Sequence, residues 1–244
     1  MTLPTLLTIL ITAVFLGAER LVPGRALPAS PGWYVRALAI NFAQLGITLA
    51  TGRIWPYVLG GGSLVDVSAF EMPLIEGLLA WFCGTFVFYW WHRLRHQRGF
   101  WQVFHQVHHS ASRIEILTSF YKHPIEILSN AVISGVLLYA VLGSSTLGAF
   151  WYNFFAAVGE YFYHANLKSP RWLRYLIQTP ELHSIHHQYE VHSYNFADIP
   201  VWDRLFGTYR DATEFAPRCG FPAGAEQRLP EMLVFRDVYE QETV

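Results

Sequence analysis

The sequence predicts an all-α, polytopic membrane bundle of four or five spans. Three observations predict it. Of 244 residues, 52% are hydrophobic and only 14% charged, which is too apolar for an ordinary soluble domain. The apolar residues gather into long runs separated by Pro, Gly and charged stretches. The charges are themselves unevenly placed, with most Lys and Arg in alternate connections.

The first run, residues 3–18, carries no charge and lacks the basic start and small-residue cleavage site of a signal peptide, so it reads as a retained span. A signal peptide is the alternative. A polar connection follows over 19–36, with Pro23, Gly24, Pro28, Pro31 and Gly32. The second run, 37–50, is short for a full crossing, and 74–91 is a third, aromatic-rich span. Residues 125–142 and 147–163 read as a helical hairpin around Gly143-Ser144-Ser145. Three regions follow: membrane spans and connections over 1–72, a histidine-rich region with its hairpin over 73–210, and a polar tail over 211–244 that reads as a peripheral extension of the same domain.

Positive charges test this layout, because cytoplasmic loops carry the excess of Lys and Arg. Arg20, Arg25 and Arg36 lie in the first connection, Arg93, Arg95, Arg98, Arg113 and Lys122 follow the third span, and Lys168, Arg171, Arg174, Arg204 and Arg210 follow the hairpin. The second connection has only Arg53 and the hairpin turn has none. The histidine clusters are thereby placed on the cytoplasmic face of an integral membrane protein. A net charge of −1 excludes a general nucleic-acid binder. Cys83 and Cys219 are too few for a disulfide framework or a cysteine-rich zinc site.

All 11 histidines fall between His92 and His192. His92 and His96 stand at i and i+4, on one helical face, where a span should leave the membrane. Such a pair arises readily by chance. His105, His108 and His109 form an i, i+3, i+4 set, which crowds three imidazoles onto one face unless they share a ligand. His183, His186 and His187 repeat that spacing. Neutral imidazole suits iron, copper, nickel and zinc, and eight of them over-supply one ion, so two divalent metals are expected. Zinc is the chemical rival, although catalytic zinc usually takes three protein ligands. No His-Glu-x-x-His sequence occurs, which disfavours a metalloprotease. A transporter would place ionisable groups along the middle of its spans, whereas these cluster at span ends and in loops.

Further motifs join these clusters: Tyr89-Trp90-Trp91-His92-Arg93, Phe104 to Ser110, His123-Pro124-Ile125-Glu126, His164-Ala165-Asn166, Thr179-Pro180-Glu181-Leu182-His183 and Trp202 to Thr208. In this order, from about Tyr89 to Tyr209, the sequence resembles the fatty acid hydroxylase and sterol desaturase superfamily of integral-membrane, non-haem di-iron oxygenases. The resemblance implies a bundle capped on its cytosolic side by helices that carry the histidines, with an apolar tunnel leading a lipid to the metals. It implies two iron ions, with zinc as a possible substitute in purified protein, held by His92, His96, His105, His108, His109, His183, His186 and His187. Some relatives have a further HxxxH pair before the last cluster. The comparable residues here are Glu160 and His164, which makes His164 a ninth ligand. Glu160 is a carboxylate ligand, an acceptor for a ligand N–H, or a residue with no metal role.

His123 before Pro124 reads as a ligand or as a helix start with Glu126 in the first turn. His192 reads as a surface residue or one behind the ligands. Asn195-Phe196-Ala197 stands where many relatives have Asn-Tyr-Gly, which puts the loop conformation that glycine permits in question. Asp203 is expected to accept the free N–H of a ligand histidine, with a surface pairing to Arg204 or Arg210 as the alternative.

The implied activity is O2-dependent hydroxylation or desaturation of a lipid C–H bond, such as one in a fatty acyl chain or sterol, since acid–base side chains cannot break so unpolarised a bond. No Rossmann fingerprint, haem module or iron–sulfur cysteine set occurs, so electrons are expected from a separate ferredoxin or b-type cytochrome with its reductase. A membrane zinc hydrolase and a non-catalytic metal-binding or transport protein are the alternatives. The expected setting is a bacterial inner membrane.

Overall fold

The structure, a computed structural model, describes residues 1–239; the last five residues of the expected tail, 240–244, lie outside the described residues. Five long helices form the body: α1 (Leu3–Leu21), α2 (Trp33–Leu59), α3 (Pro73–Arg95), α5 (Pro124–Gly135, continued as a π-helical segment Val136–Val141) and α6 (Thr146–His164). Shorter helices α4 (Gln106–His109), α7 (Pro180–His186), α8 (Pro200–Leu205) and α9 (Leu229–Met232) build a cap at one end. A π-helical turn, Trp101–His105, leads directly into α4.

Three of the described helical segments are long and apolar enough to cross a membrane: α1, α3 and 124–141. Helices α2 and α6, of 27 and 19 residues, are not among them. The short run at 37–50 proves to be part of a much longer helix, and the reason is where its polar residues point. Asn41, Gln44, Thr48, Thr51 and Trp55 recur at helical spacing and line an interior cavity, so α2 continues through residues that hydropathy alone reads as breaks.

Helices α3 and α6 run side by side in the same direction and form the central pair. Small residues let them approach: a Cβ on Gly77 would lie 2.7 Å from the Tyr152 amide nitrogen, and one on Gly148 would meet the Glu76 side chain. The Glu76 carboxylate accepts from the Ser145 amide at 2.9 Å, which serves the exposed start of α6. Helix α1 packs on α6, and α2 on α5. At the end of α5 the carbonyls of Ala140, Val141 and Leu142 would lack helical partners; they accept instead from Leu64, Val65 and Val67.

The polar connection at 19–36 docks against the cap. Glu19 is buried and its carboxylate accepts from the amides of Ile116 (3.0 Å) and Asn166 (3.2 Å). The Trp33 indole donates to Glu115 at 2.6 Å. The tail is not merely peripheral in packing: Leu229, Met232 and Val238 share a buried cluster with Trp33, Val107 and Tyr121.

Candidate metal centre

The ends of α3 and α6 deliver His92, His96 and His164 to the cap, where the π-helical turn supplies His105, α4 supplies His108 and His109, and α7 with the residue that follows it supplies His183, His186 and His187. Helix α7 is only seven residues long and depends on its start: Pro180 opens the first turn, and the Thr179 hydroxyl accepts from the Leu182 amide at 3.4 Å. Glu181 in that first turn accepts from the Ser169 amide and hydroxyl at 2.8 and 2.7 Å, tying the helix to the preceding loop.

The nine histidines singled out in the sequence come together in two groups. His92, His96, His105, His109 and His186 form one; His108, His164, His183 and His187 form the other, and within each group the candidate ligand nitrogens all lie within 4.8 Å of one another. The expectation that each i, i+3, i+4 set crowds onto one face is corrected. Successive α-helical residues turn by about 100°, so i and i+4 stand close while i+3 points well aside. His105 and His109 therefore enter the first group and His108 the second, whereas α7 sends His183 and His187 to the second and His186 to the first.

Whether these residues suit a metal is decided by their nitrogens. His92 Nδ1 donates to the Phe196 carbonyl at 2.7 Å and His186 Nδ1 to that of Tyr194 at 2.7 Å, which leaves a lone pair on each Nε2. The Nε2 atoms of His92, His96, His105, His109 and His186 are all buried without a hydrogen-bond partner. Each would cost about 1–3 kcal/mol if nothing satisfied it, so five around one point fit a bound cation. In the second group, His108 Nδ1 donates to Tyr121 O (3.3 Å) and His164 Nδ1 to Glu160 O (2.8 Å). Their Nε2 lone pairs then face each other at 3.2 Å, repulsive alone and favourable around a cation. His183 Nε2 lies 3.0 Å from that of His164 and 3.1 Å from that of His187. Gln178 Nε2, 3.5 Å from His183 Nδ1, is too far to fix that ring's tautomer.

Burial holds His96, His105, His108, His109, His183 and His187 well below the usual histidine range, with neighbouring imidazoles and, for some, Arg95 adding to the effect. His186 is pushed down to about 3, again mainly by burial. These rings are neutral at pH 7, the form that binds metal.

The other predicted residues lie around the groups. Glu160 belongs to neither: its Oε1 is 2.8 Å from Lys122 Nζ and its Oε2 3.6 Å from His164 Nδ1, while its backbone carbonyl takes the His164 proton. His123 is the N-cap of α5, with Nδ1 accepting from the Ile125 amide (3.1 Å) and Nε2 against Leu233 O (3.3 Å), so both nitrogens face backbone. Asp203 is buried and touches no histidine directly. Its carboxylate accepts from the amides of Phe196 (2.8 Å) and Ala197 (2.9 Å) and from the Thr208 hydroxyl (2.7 Å), and so fixes the loop whose Phe196 carbonyl receives His92. His192 backs the first group, its Nδ1 3.1 Å from His109 Nδ1. Left-handed backbone in this loop falls at Tyr194 (φ 67°) and Asn195 (φ 47°), not at Ala197, so alanine is unstrained where relatives have glycine.

The role of one residue is not legible in the sequence pattern. Glu126 Oε1 lies 3.2 Å from His105 Nδ1 and pairs with the buried Arg95. Its position three residues after His123 suggested a helix-start charge; the overlooked signal is that it is the only charged residue in the run 125–142.

A model of the family described as fatty acid hydroxylase matches residues 77–208, more than half of the chain and all nine histidines. The chain belongs to the fatty acid hydroxylase family. It is 32% identical over 126 residues to sphinganine C4-monooxygenase 1 of Arabidopsis thaliana, covering 50% of this chain and 48% of that protein. A very-long-chain aldehyde decarbonylase of Oryza sativa subsp. japonica is 28% identical over 130 residues, covering 50% and 49%. Another decarbonylase of that subspecies is 27% identical over 181 residues, covering 70% of this chain and 27% of its own length. The matches thus span about half or less of these relatives. No solved structure matches. Helices α1 and α2 and the tail lie outside the residues matched by the fatty acid hydroxylase model.

Proposed function

We propose that this fatty acid hydroxylase family member is an integral-membrane, O2-dependent oxygenase that hydroxylates or desaturates a lipid C–H bond, with two iron ions held by the five- and four-histidine groups. The observation that carries this is the position of both groups at the inner end of a cavity. The cavity has a volume of about 700 Å³, runs between the five long helices and reaches His92, His105, His108, His164 and His183. That volume suits a drug- or lipid-sized ligand, and its walls are mainly apolar.

Iron supplies the one-electron and dioxygen chemistry that no side chain can provide. The chain's own residues do the rest. The cavity holds an apolar chain and orients one of its carbons toward the cap. The carbonyls of Phe196, Tyr194, Tyr121 and Glu160 fix the ring orientations of four histidines, and Glu126 does the same for His105. Electrons come from a separate protein, a ferredoxin or a b-type cytochrome with its reductase. One matched relative is named for monooxygenation of sphinganine and another for decarbonylation of very-long-chain aldehydes, and these names support a lipid as substrate.

The five long helices are read as five spans. Arg20, Arg25, Arg36 and Lys122 sit at the histidine end of the bundle, so the positive-inside bias supports a cytoplasmic cap. Metal analysis of the purified chain, paired with mass spectrometry of host lipids, tests this reading. Close to two irons per chain, with a lipid gaining one oxygen or losing two hydrogens, is the expected result. One zinc and no oxygen-dependent change would favour a hydrolase instead.

A further inference from the structure

Residues 171–176 read Arg-Trp-Leu-Arg-Tyr-Leu, and their short 3₁₀ turn, Arg171–Tyr175, buries none of its side chains. The turn packs against α8. Trp172 is 60% exposed, Leu176 61%, and Leu205 of α8 66%, with Tyr175 and Val201 exposed beside them. In water, apolar side chains gathered in this way would form a patch of the kind that marks an interaction site.

The height of α8 along the bundle decides what covers the patch. Helix α8 stands beside the middle of α3 rather than its end: the Trp202 ring lies 6.0 Å from that of Phe82 and 5.0 Å from that of Phe86, and its indole donates to the Thr85 hydroxyl at 2.9 Å. Phe206 stacks on Tyr89 at 5.3 Å. Phe82 and Phe86 are exposed on a helix long and apolar enough to cross a membrane. At 1.5 Å per residue they lie about 14 and 8 Å short of Trp91, where the apolar run of α3 ends. The outer face of α8 thus continues the lipid-facing side of α3, at a depth that a water-soluble partner does not reach.

The charges on this surface are positive. Arg204 lies over the rings of Tyr175 at 5.2 Å and Tyr209 at 4.2 Å, whereas Arg174 lies over Tyr175 at 4.6 Å and pairs with Asp211 at 2.9 Å. Among the described residues, neither Arg171 nor Arg204 has a carboxylate within ion-pair distance. Trp and Tyr rings favour the membrane–water boundary, and arginine there keeps its stem in apolar surroundings and its head at the phosphates.

We propose that the 171–176 turn and α8 form a docking surface for the headgroup layer of the bilayer, with the apolar side chains among the acyl chains and Arg171 and Arg204 selecting anionic phospholipid. This rests on α3 crossing the membrane and not on the oxygenase reading. Two measurements on the full chain test it. In vesicles of phosphatidylcholine and phosphatidylglycerol, a nitroxide at Leu205→Cys, in a Cys83→Ala background with Cys219 buried, should meet dissolved oxygen more often than a water-soluble nickel chelate. A label at the exposed Leu78→Cys of α3 reports the span itself. If the label at 205 is as open to nickel as one at Arg98→Cys while that at 78 is shielded, the proposal is overturned, the span stands, and the surface is left to a protein partner. Native mass spectrometry of the chain titrated with each lipid reads the selectivity. Phosphatidylglycerol should bind more tightly than phosphatidylcholine, and Arg171→Gln and Arg204→Gln should each cut that preference about fivefold. Both side chains are exposed, so the variants should fold as the wild type does. A preference untouched by either substitution also overturns the proposal.

Discussion

The two histidine groups differ in how the protein holds them. In the five-histidine group, four outer nitrogens are gripped from behind by Phe196 O, Glu126, Tyr194 O and His192, and every inner nitrogen is unpartnered. In the four-histidine group, the inner nitrogens close on one another at 3.0–3.2 Å, with backbone carbonyls behind His108 and His164. The first is positioned by its surroundings; the second has fewer ligands and depends more on each. Because residues 105–109, spanning the π-helical turn and α4, and residues 183–187 at α7 each contribute to both groups, with the paired and single positions exchanged, neither centre forms without the other's segments.

The largest effect should come from removing one ring from each group. His187→Ala leaves three histidines in its group, so metal content should fall toward one ion per chain. His186→Ala leaves four and should retain nearly two ions. Both should reduce turnover by more than about 100-fold, beyond the range seen for supporting residues. Equal metal loss in the two variants would break the comparison. Glu126→Gln should lower activity by about 10- to 100-fold, the usual range for a residue that orients a ligand, while sparing metal in the four-histidine group.

Asp203→Asn replaces an acceptor of three hydrogen bonds with a side chain that presents a donor to one of them. A loss of about 2–3 kcal/mol is expected, read as a lower melting temperature. For the metal-free chain, pH sharpens the contrast. The folded-state values of the buried histidines are lowered, so their contribution is present above the unfolded value of about 6.5 and is lost as pH falls toward the folded values. Chelator-treated protein should therefore melt at a lower temperature at pH 5.5 than at pH 8. The smallest effect should be that of His192→Ala, which touches only the back of His109 and should keep activity within about threefold of wild type. A loss equal to that of His186→Ala would move His192 into the centre itself.

The sequence disclosed side-chain chemistry better than geometry. Histidine at repeated spacing was visible, because metal binding requires that residue type; the partition into two groups was not, because it depends on how α4 and α7 face one another. The backbone carbonyls of Phe196 and Tyr194 carry no sequence signal, since any residue supplies one. The carboxylate of Asp203 marks its residue type as a hydrogen-bond acceptor, but it acts one step away from the histidines, through the loop amides. Hydropathy alone shortens α2, because the polar face that turns inward cannot be told from a break.

The π-helical turn at Trp101–His105 has a consequence for how this segment tolerates change. Substitutions at its half-buried positions, 101–104, alter side chains without altering its length. Deleting one residue there would turn everything downstream by about 100°, pointing His105 and His109 away from their group and His108 away from its own. Insertions and deletions in this stretch should therefore be far more damaging than replacements, and its length is as much a part of the metal centre as its histidines.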